Sequence, residues 1–166
     1  MAKLIIIRGN SGSGKSTVAN LLQKKLGHNT LLISQDAVRR EMLWVKDGPG
    51  NRAIPLLKTL LLYGKERCEA VILEGILHSQ WYAPLFDLAR EAYGQEIYAY
   101  YYDLTFEETM ARHRTRDKQA EFGEESMRRW WVEKDYLHFH GEVIFTGEIG
   151  AEEAAERIYQ EVQNGK

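Results

Sequence analysis

The chain has 166 residues, 44% of them hydrophobic and 28% charged; this is enough to bury one core without disulfides or structural metals, and it excludes a disordered or fibrous chain. A formal net charge of −2 excludes a global attraction to nucleic acid or anionic membrane and leaves only local basic patches for such partners. The lone cysteine, Cys68, excludes an internal disulfide and suits a reducing compartment.

The chain opens with one positive charge and the apolar run Leu4-Ile5-Ile6-Ile7, much shorter than a signal-peptide core, so residues 3–8 read as a strand. No later stretch approaches the roughly 18 to 20 apolar residues that span a bilayer. The expectation is a soluble protein without a membrane partner, cytoplasmic by default.

Directly after the strand comes Gly9-Asn10-Ser11-Gly12-Ser13-Gly14-Lys15-Ser16, followed by Thr17. The spacing Gly-x-x-x-x-Gly-Lys-Ser lets a chain wrap a phosphate with its N–H groups pointing inward, because side chains at the glycine positions would block that path. The helix predicted over 15–26, apolar at 18, 21, 22 and 26, offers its unpaired N–H groups and positive dipole end to the anion. Lys15 then reaches the β and γ phosphates, and Ser16 ligates Mg²⁺. A chance match to the spacing arises in roughly one chain of this length in 150.

A second strand is predicted over 30–34, ending next to Asp36. In a parallel sheet this carboxyl end lies on the edge that carries the phosphate loop, where a carboxylate can accept or orient the proton of an attacking hydroxyl. The alternative is that Asp36 caps the helix predicted over 36–45. Arg39 and Arg40 either bind an anionic acceptor or pair with Asp36 and Glu41. Asp47-Gly48-Pro49-Gly50 formally matches the D-x-x-G of GTPases, but it follows no strand and reads as a turn.

Helices are predicted over 53–63 and 79–93, with Pro55 and Pro84 in their first turns, on either side of a strand over 69–74. Glu74 ends that strand and should reach the same edge, to serve Mg²⁺ through water, the acceptor, or backbone donors. A fourth strand over 96–102 carries Tyr98, Tyr100, Tyr101 and Tyr102. These tyrosines, with Trp44, Trp81, Trp130 and Trp131, read as packing residues before base-stacking ones.

After a helix over 105–114, Arg112-His113-Arg114-Thr115-Arg116-Asp117-Lys118 leads into a polar segment that reads as a lid, about 114–126. Arg112 and Arg116 are its candidates for neutralising phosphate charge and excluding water, against the plainer reading of a solvated basic helix end. A helix over 124–135, a strand over 142–146 and a helix over 151–162 complete the chain. His138, His140 and Glu142 form a weak candidate metal site. Residues 46–64 are a candidate cover for the substrate. Short apolar runs alternating with helical segments define an α/β fold with five strands and no internal linker, one domain over 1–166.

A phosphate loop is shared by kinases, switch GTPases and mechanical ATPases. The absence of Asn-Lys-x-Asp argues against guanine, and the lack of a hydrophobic run closed by Asp-Glu argues against a large motor. With Asp36, Glu74 and the arginines in view, the chain resembles the small P-loop kinases that include polynucleotide 5′-hydroxyl kinases, chloramphenicol phosphotransferases and zeta-toxin-type kinases. The likeness rests on Arg8-Gly9 to Thr17, on Ser34-Gln35-Asp36-Ala37-Val38-Arg39, on Leu73-Glu74-Gly75, and on the spacing from Thr109 through Arg112 to Arg116.

The resemblance implies a P-loop three-layer fold with a parallel sheet in the order 2-3-1-4-5 and a helical lid. It implies Asp36 as base, Arg116 on the phosphates and Arg39 at an acceptor anion. The combined expectation is an Mg-ATP-dependent kinase. In it Gly9, Asn10, Ser11, Gly12, Ser13, Gly14, Lys15, Ser16, Thr17, Arg112 and Arg116 hold ATP, and Asp36, Arg39 and Glu74 face a hydroxyl-bearing small molecule. Polynucleotide phosphorylation and a regulatory ATPase module are the alternatives. The sequence leaves the acceptor and the oligomeric state open.

Overall fold

A computed structural model of the chain describes residues 1–10, 12–114, 131–139, 141–147 and 149–165, and the side chains of 112–114 fall outside that description. Ser11 and Arg116, the latter with most of the expected lid, therefore lie outside the described residues, as does the side chain of Arg112.

Strand β1 (Lys3–Gly9) is flanked by β3 (Ala70–Gly75) and β4 (Ile97–Tyr102). The edges are β2 (Thr30–Ser34) and β5 (Val143–Phe145), giving a five-stranded sheet in the order β2-β3-β1-β4-β5. Every pairing is parallel. All six residues from Leu4 to Gly9 are buried, as expected for a central strand covered on both faces.

Alternation along the strands sorts their side chains into two cores. Leu4, Ile6, Val71 and Leu73 pack under α3 (Ala53–Arg67) and α4 (Ala83–Tyr93), through Leu57, Leu61, Phe86 and Ala89. Helix α5 (Phe106–Arg114) follows β4, and Ile5, Ile7, Ile72 and Tyr100 pack under α1 (Lys15–Leu26) and α6 (Ala151–Asn164), through Val18, Leu22, Ala155 and Ile158. At about 25 cal/mol per Å², each fully buried isoleucine contributes about 2 kcal/mol, so β1 is a principal anchor of the fold. The tyrosines of β4 are all buried, as the sequence suggested.

Four local expectations change. The segment expected to be one helix over 36–45 is a short α2 (Gln35–Ala37) that widens into a π-helical turn over Val38–Met42. Helix α4 begins at Ala83, not 79, because residues 76–82 are irregular and turn backbone tied into the site. The helix expected over 124–135 does not include 131–135, whose backbone and side-chain groups are spent on tertiary partners described below. Residues 53–64 lie in α3, a core-layer helix, so only 46–52 of the expected cover stand at the sheet edge.

Candidate active site

Because all strands are parallel, the carboxyl ends of β1, β2, β3 and β4 open on one edge, with Ser34 beside Glu74 and Gly9 beside Tyr102. The winding reverses about β1, and the crevice at such a point is where open α/β sheets bind ligands. The phosphate loop occupies it.

Loop geometry explains the glycines. Gly9, at φ 152°, would place a Cβ 2.9 Å from the Tyr102 Cβ, so no side chain fits between the loop and β4. Gly14, at φ 101°, turns the chain into α1 in a conformation that other residues reach only with strain. Lys15 is buried, and its Nζ donates to the Asn10 carbonyl at 2.9 Å and lies 3.3 Å from the Ser13 Oγ, so the ammonium is held inside the loop. Ser16 and Thr17 are exposed at the first turn of α1.

The Ser16 hydroxyl donates to the buried carboxylate of Glu74 at 3.2 Å, which joins the loop to the end of β3. A hydroxyl and a carboxylate oxygen side by side form a hard-oxygen donor set suited to Mg²⁺ completed by water and phosphate oxygens. Among the described residues no group of three His, Cys, Asp or Glu could hold a metal ion. His138 is not in a strand, its neighbour Glu142 accepts from the Leu137 and His138 backbone N–H groups, and His140 lies outside the described residues.

Asp36 sits in the first turn of α2, just past the end of β2. Ser34 caps that helix, its hydroxyl accepting from the Ala37 N–H at 3.3 Å, so the capping role weighed for Asp36 is already filled. The Asp36 carboxylate is 47% exposed and faces Arg39 Nη2 at 3.1 Å and Arg40 Nη1 at 3.6 Å. Arg39 is more enclosed. Its Nη1 donates to the Val45 carbonyl at 3.1 Å, and its buried Nε lies 3.9 Å from Asp47.

Asp47 also organises the turn that follows it. It accepts from the Tyr82 hydroxyl at 2.7 Å, the Gly48 N–H at 2.9 Å and the Asn51 amide at 3.2 Å, while Gln35 donates to the Tyr82 oxygen at 2.7 Å. Burial, with the Asp47 carboxylate adding to it, pushes the Tyr82 hydroxyl well above its ordinary range, so it remains a donor. The network fixes residues 47–51 against α2 and the loop before α4.

Two residues that sequence reasoning did not single out, Arg8 and Asp135, complete the edge together with Asn10 of the phosphate loop. Arg8 is fully buried at the end of β1. It donates to the Leu77 carbonyl at 3.0 Å, to the Asp135 carbonyl at 2.7 Å and to the Asp135 carboxylate at 2.7 Å, and it lies over the rings of Phe86 and Tyr101. Burial lowers the Arg8 guanidinium from its usual value, with Asp135 opposing the shift. Asp135 also accepts from the Ser79 N–H at 2.8 Å and from the Ser79 hydroxyl. Asn10 holds Val132 by both backbone groups, donating to its carbonyl at 2.6 Å and accepting from its N–H at 2.9 Å.

Residues 131–135 are thereby bolted to the phosphate loop and to the loop after β3. The available signal was an arginine inside an otherwise apolar strand; its partner, 127 residues away, carried none. Asp135→Asn is expected to cost about 3 kcal/mol of unfolding free energy in urea titration, because it leaves a buried guanidinium without its counter-charge. Stability equal to wild type would mean that the pair contributes nothing net.

The parallel edge, the phosphate loop and the helix it opens define a P-loop NTPase fold. The chain belongs to the AAA domain family, whose model matches residues 4–131. No curated protein sequence matches it. Several solved structures do at low identity. The APS kinase of Mycobacterium tuberculosis, solved with AMPPNP and APS, is 19% identical at a TM-score of 0.70, covering 99% of this chain and 98% of that one. A gluconokinase from Sinorhizobium meliloti is 16% identical at 0.66, covering 98% and 92%. The shikimate kinase of Acinetobacter baumannii, solved with shikimate, is 22% identical at 0.63, covering 99% and 94%. Among the described residues no helix is long and apolar enough to cross a membrane.

Proposed function

We propose that this protein is an Mg-ATP-dependent kinase that transfers the γ-phosphoryl group to a hydroxyl of a small molecule. The observation that carries the reading is the meeting, on one sheet edge, of the enclosed Lys15, the Ser16–Glu74 pair and a carboxylate, Asp36, free of capping duty. The fold-level likeness to kinases of small molecules supports a small acceptor over a polynucleotide. The finer likeness to polynucleotide kinases, chloramphenicol phosphotransferases and zeta-toxin-type kinases belongs to the same proposal.

In this reading the glycine-rich loop and the first turn of α1 bind the phosphates, and Lys15 neutralises charge on the β and γ groups. Mg²⁺, held by Ser16 and through Glu74, would supply charge neutralisation between the phosphates. Asp36 takes the proton of the acceptor hydroxyl as its oxygen bonds to the γ phosphorus; the bond from that phosphorus to the bridging oxygen breaks, and its electron pair leaves with ADP. Arg39 steadies Asp36 and, with Arg40, gives the acceptor side its positive charge. Arg112 and Arg116 are proposed to close on the phosphates.

The test is acceptor-dependent ADP release from Mg-ATP across nucleosides, sugars, sugar nucleotides, antibiotics and 5′-hydroxyl oligonucleotides. A small-molecule hydroxyl that raises ADP release and gains ³²P is expected, with loss of transfer in EDTA. Selective labelling of oligonucleotides would favour the polynucleotide alternative. A panel without effect, together with hydrolysis stimulated by a protein partner, would replace the kinase with a regulatory ATPase.

A further inference from the structure

Trp44 stands in the most costly setting the described chain offers an indole. Helix α2 and its π-helical turn close with the Leu43 N–H on the Val38 carbonyl at 3.1 Å and the Val45 N–H on the Arg39 carbonyl at 3.0 Å. The residue between those two donors is Trp44, left-handed at φ 54°. This is a helix-terminating position where glycine costs least and a bulky side chain is strained. Strain of this kind is ordinarily offset by burial, yet Trp44 is 91% exposed, beside Met42 at 62% and Leu43 at 37%. The other described tryptophans behave differently: Trp81 stacks on His78 with ring centroids 4.4 Å apart, and Trp131 packs edge-on to Phe106.

What holds Trp44 out is the residue that holds Asp36. Arg39 accepts the Val45 N–H on its backbone carbonyl, donates from Nη1 to the Val45 carbonyl, and donates from Nη2 to Asp36. One residue therefore fixes both the carboxylate at the start of the helix and Val45, the residue that follows the tryptophan. Trp44 lies eight residues past Asp36, two residues beyond the end of the π-helical turn at Met42. Arg40, one turn beyond Asp36 and paired to it, stands between them and is half exposed.

We infer that Trp44 is the stacking platform of the acceptor site, so that the acceptor is a ring compound whose face lies on the indole while its hydroxyl reaches Asp36. The inference rests on the kinase reading above. An exposed indole face stacks on a planar base and equally on the C–H face of a pyranose, whereas an acyclic polyol presents no such face. One guanidinium, that of Arg39, contacts both Asp36 and the residue after Trp44, at 3.1 Å each, and this is what ties the platform to that site.

The experiment compares wild type, Trp44→Gly and Trp44→Phe in steady-state transfer from Mg-ATP to nucleosides, pyranosides, aromatic alcohols of the antibiotic type, and the acyclic polyols glycerol and sorbitol. Ring acceptors are expected to be used in preference to polyols, and the nucleoside and pyranoside arms show which ring is read. Trp44→Gly is expected to raise the acceptor KM about tenfold or more with the ATP KM within about twofold, the scale of one lost stacking contact, and Trp44→Phe to recover most of it. Because glycine suits the left-handed position, Trp44→Gly should melt no lower than wild type, which separates a lost contact from a damaged fold.

An unchanged acceptor KM in Trp44→Gly, or a polyol as the best acceptor, overturns the inference while leaving the kinase standing. So does a wild-type dimer that Trp44→Gly converts to monomer in size-exclusion chromatography, since the indole then covers a second copy. If wild type phosphorylates no acceptor at all, the kinase reading falls and the platform falls with it.

Discussion

Lys15→Ala is expected to lower phosphoryl transfer by about two to three orders of magnitude and to weaken ATP binding, whatever the acceptor. Two effects combine. In the proposed kinase the ammonium meets the β and γ phosphates, and it also braces the loop by donating to the Asn10 carbonyl. Its loss removes charge stabilisation in the transition state and frees the peptide that the phosphates must meet. Calorimetric titration with a non-hydrolysable ATP analogue and single-turnover transfer measure the two separately. Wild-type affinity and rate in this variant would remove the phosphate loop from the reaction.

Asp36→Asn tests the other end of the transfer. Turnover is expected to fall by two or more orders of magnitude, the usual scale for a positioned acid or base, with nucleotide affinity nearly unchanged. The substitution keeps shape and removes charge. The carboxylate is 47% exposed and its pairs with Arg39 and Arg40 are of the partly exposed kind, so stability should change by less than about 1 kcal/mol. Ser34 keeps the helix cap in the variant. A fall in rate with normal melting is therefore chemical in origin. Intact turnover would reduce Asp36 to a surface ion-pair residue and pass the acceptor's proton to another group.

The two variants divide the candidate site as the sequence divides it. Lys15 belongs to a contiguous motif, where eight neighbouring residues state both the backbone path and the ligand. Asp36 was legible only because a strand end in a parallel sheet has a known edge. Glu74 was legible for the same reason, and its contact with Ser16 follows from the pairing of β1 with β3. Arg8, Asn10 and Asp135 were not legible in these roles. Arg8 and Asp135 are adjacent only because the chain between them completes three further strands, and Asn10 sits inside a motif whose description attends to its glycines and lysine. The same distance effect hid the turn at 131–135: a helical apolar spacing was present, but the clamp from Asn10 and the ion pair from Arg8 outweighed local propensity.

On the acceptor side the division is sharper. Arg39 read either as a contact to an acceptor anion or as a partner of Asp36, and its guanidinium lies on Asp36 and on the Val45 carbonyl. Trp44 read as a packing residue and is the most exposed aromatic of the described chain. Both outcomes depend on where a helix stops, and stopping is decided by the Val45 peptide folding back on Arg39, a geometry that composition does not encode.

Local order along the chain was enough to determine the α/β class, the five strands and the phosphate loop, because hydrophobic period and glycine spacing act between neighbours in sequence. Only the tertiary structure decided that Arg8 and Asp135 lock three loops together and that Gln35, Asp47 and Tyr82 join into one network. Those facts are contacts between residues brought together by the sheet, and their free energies appear only once the sheet exists.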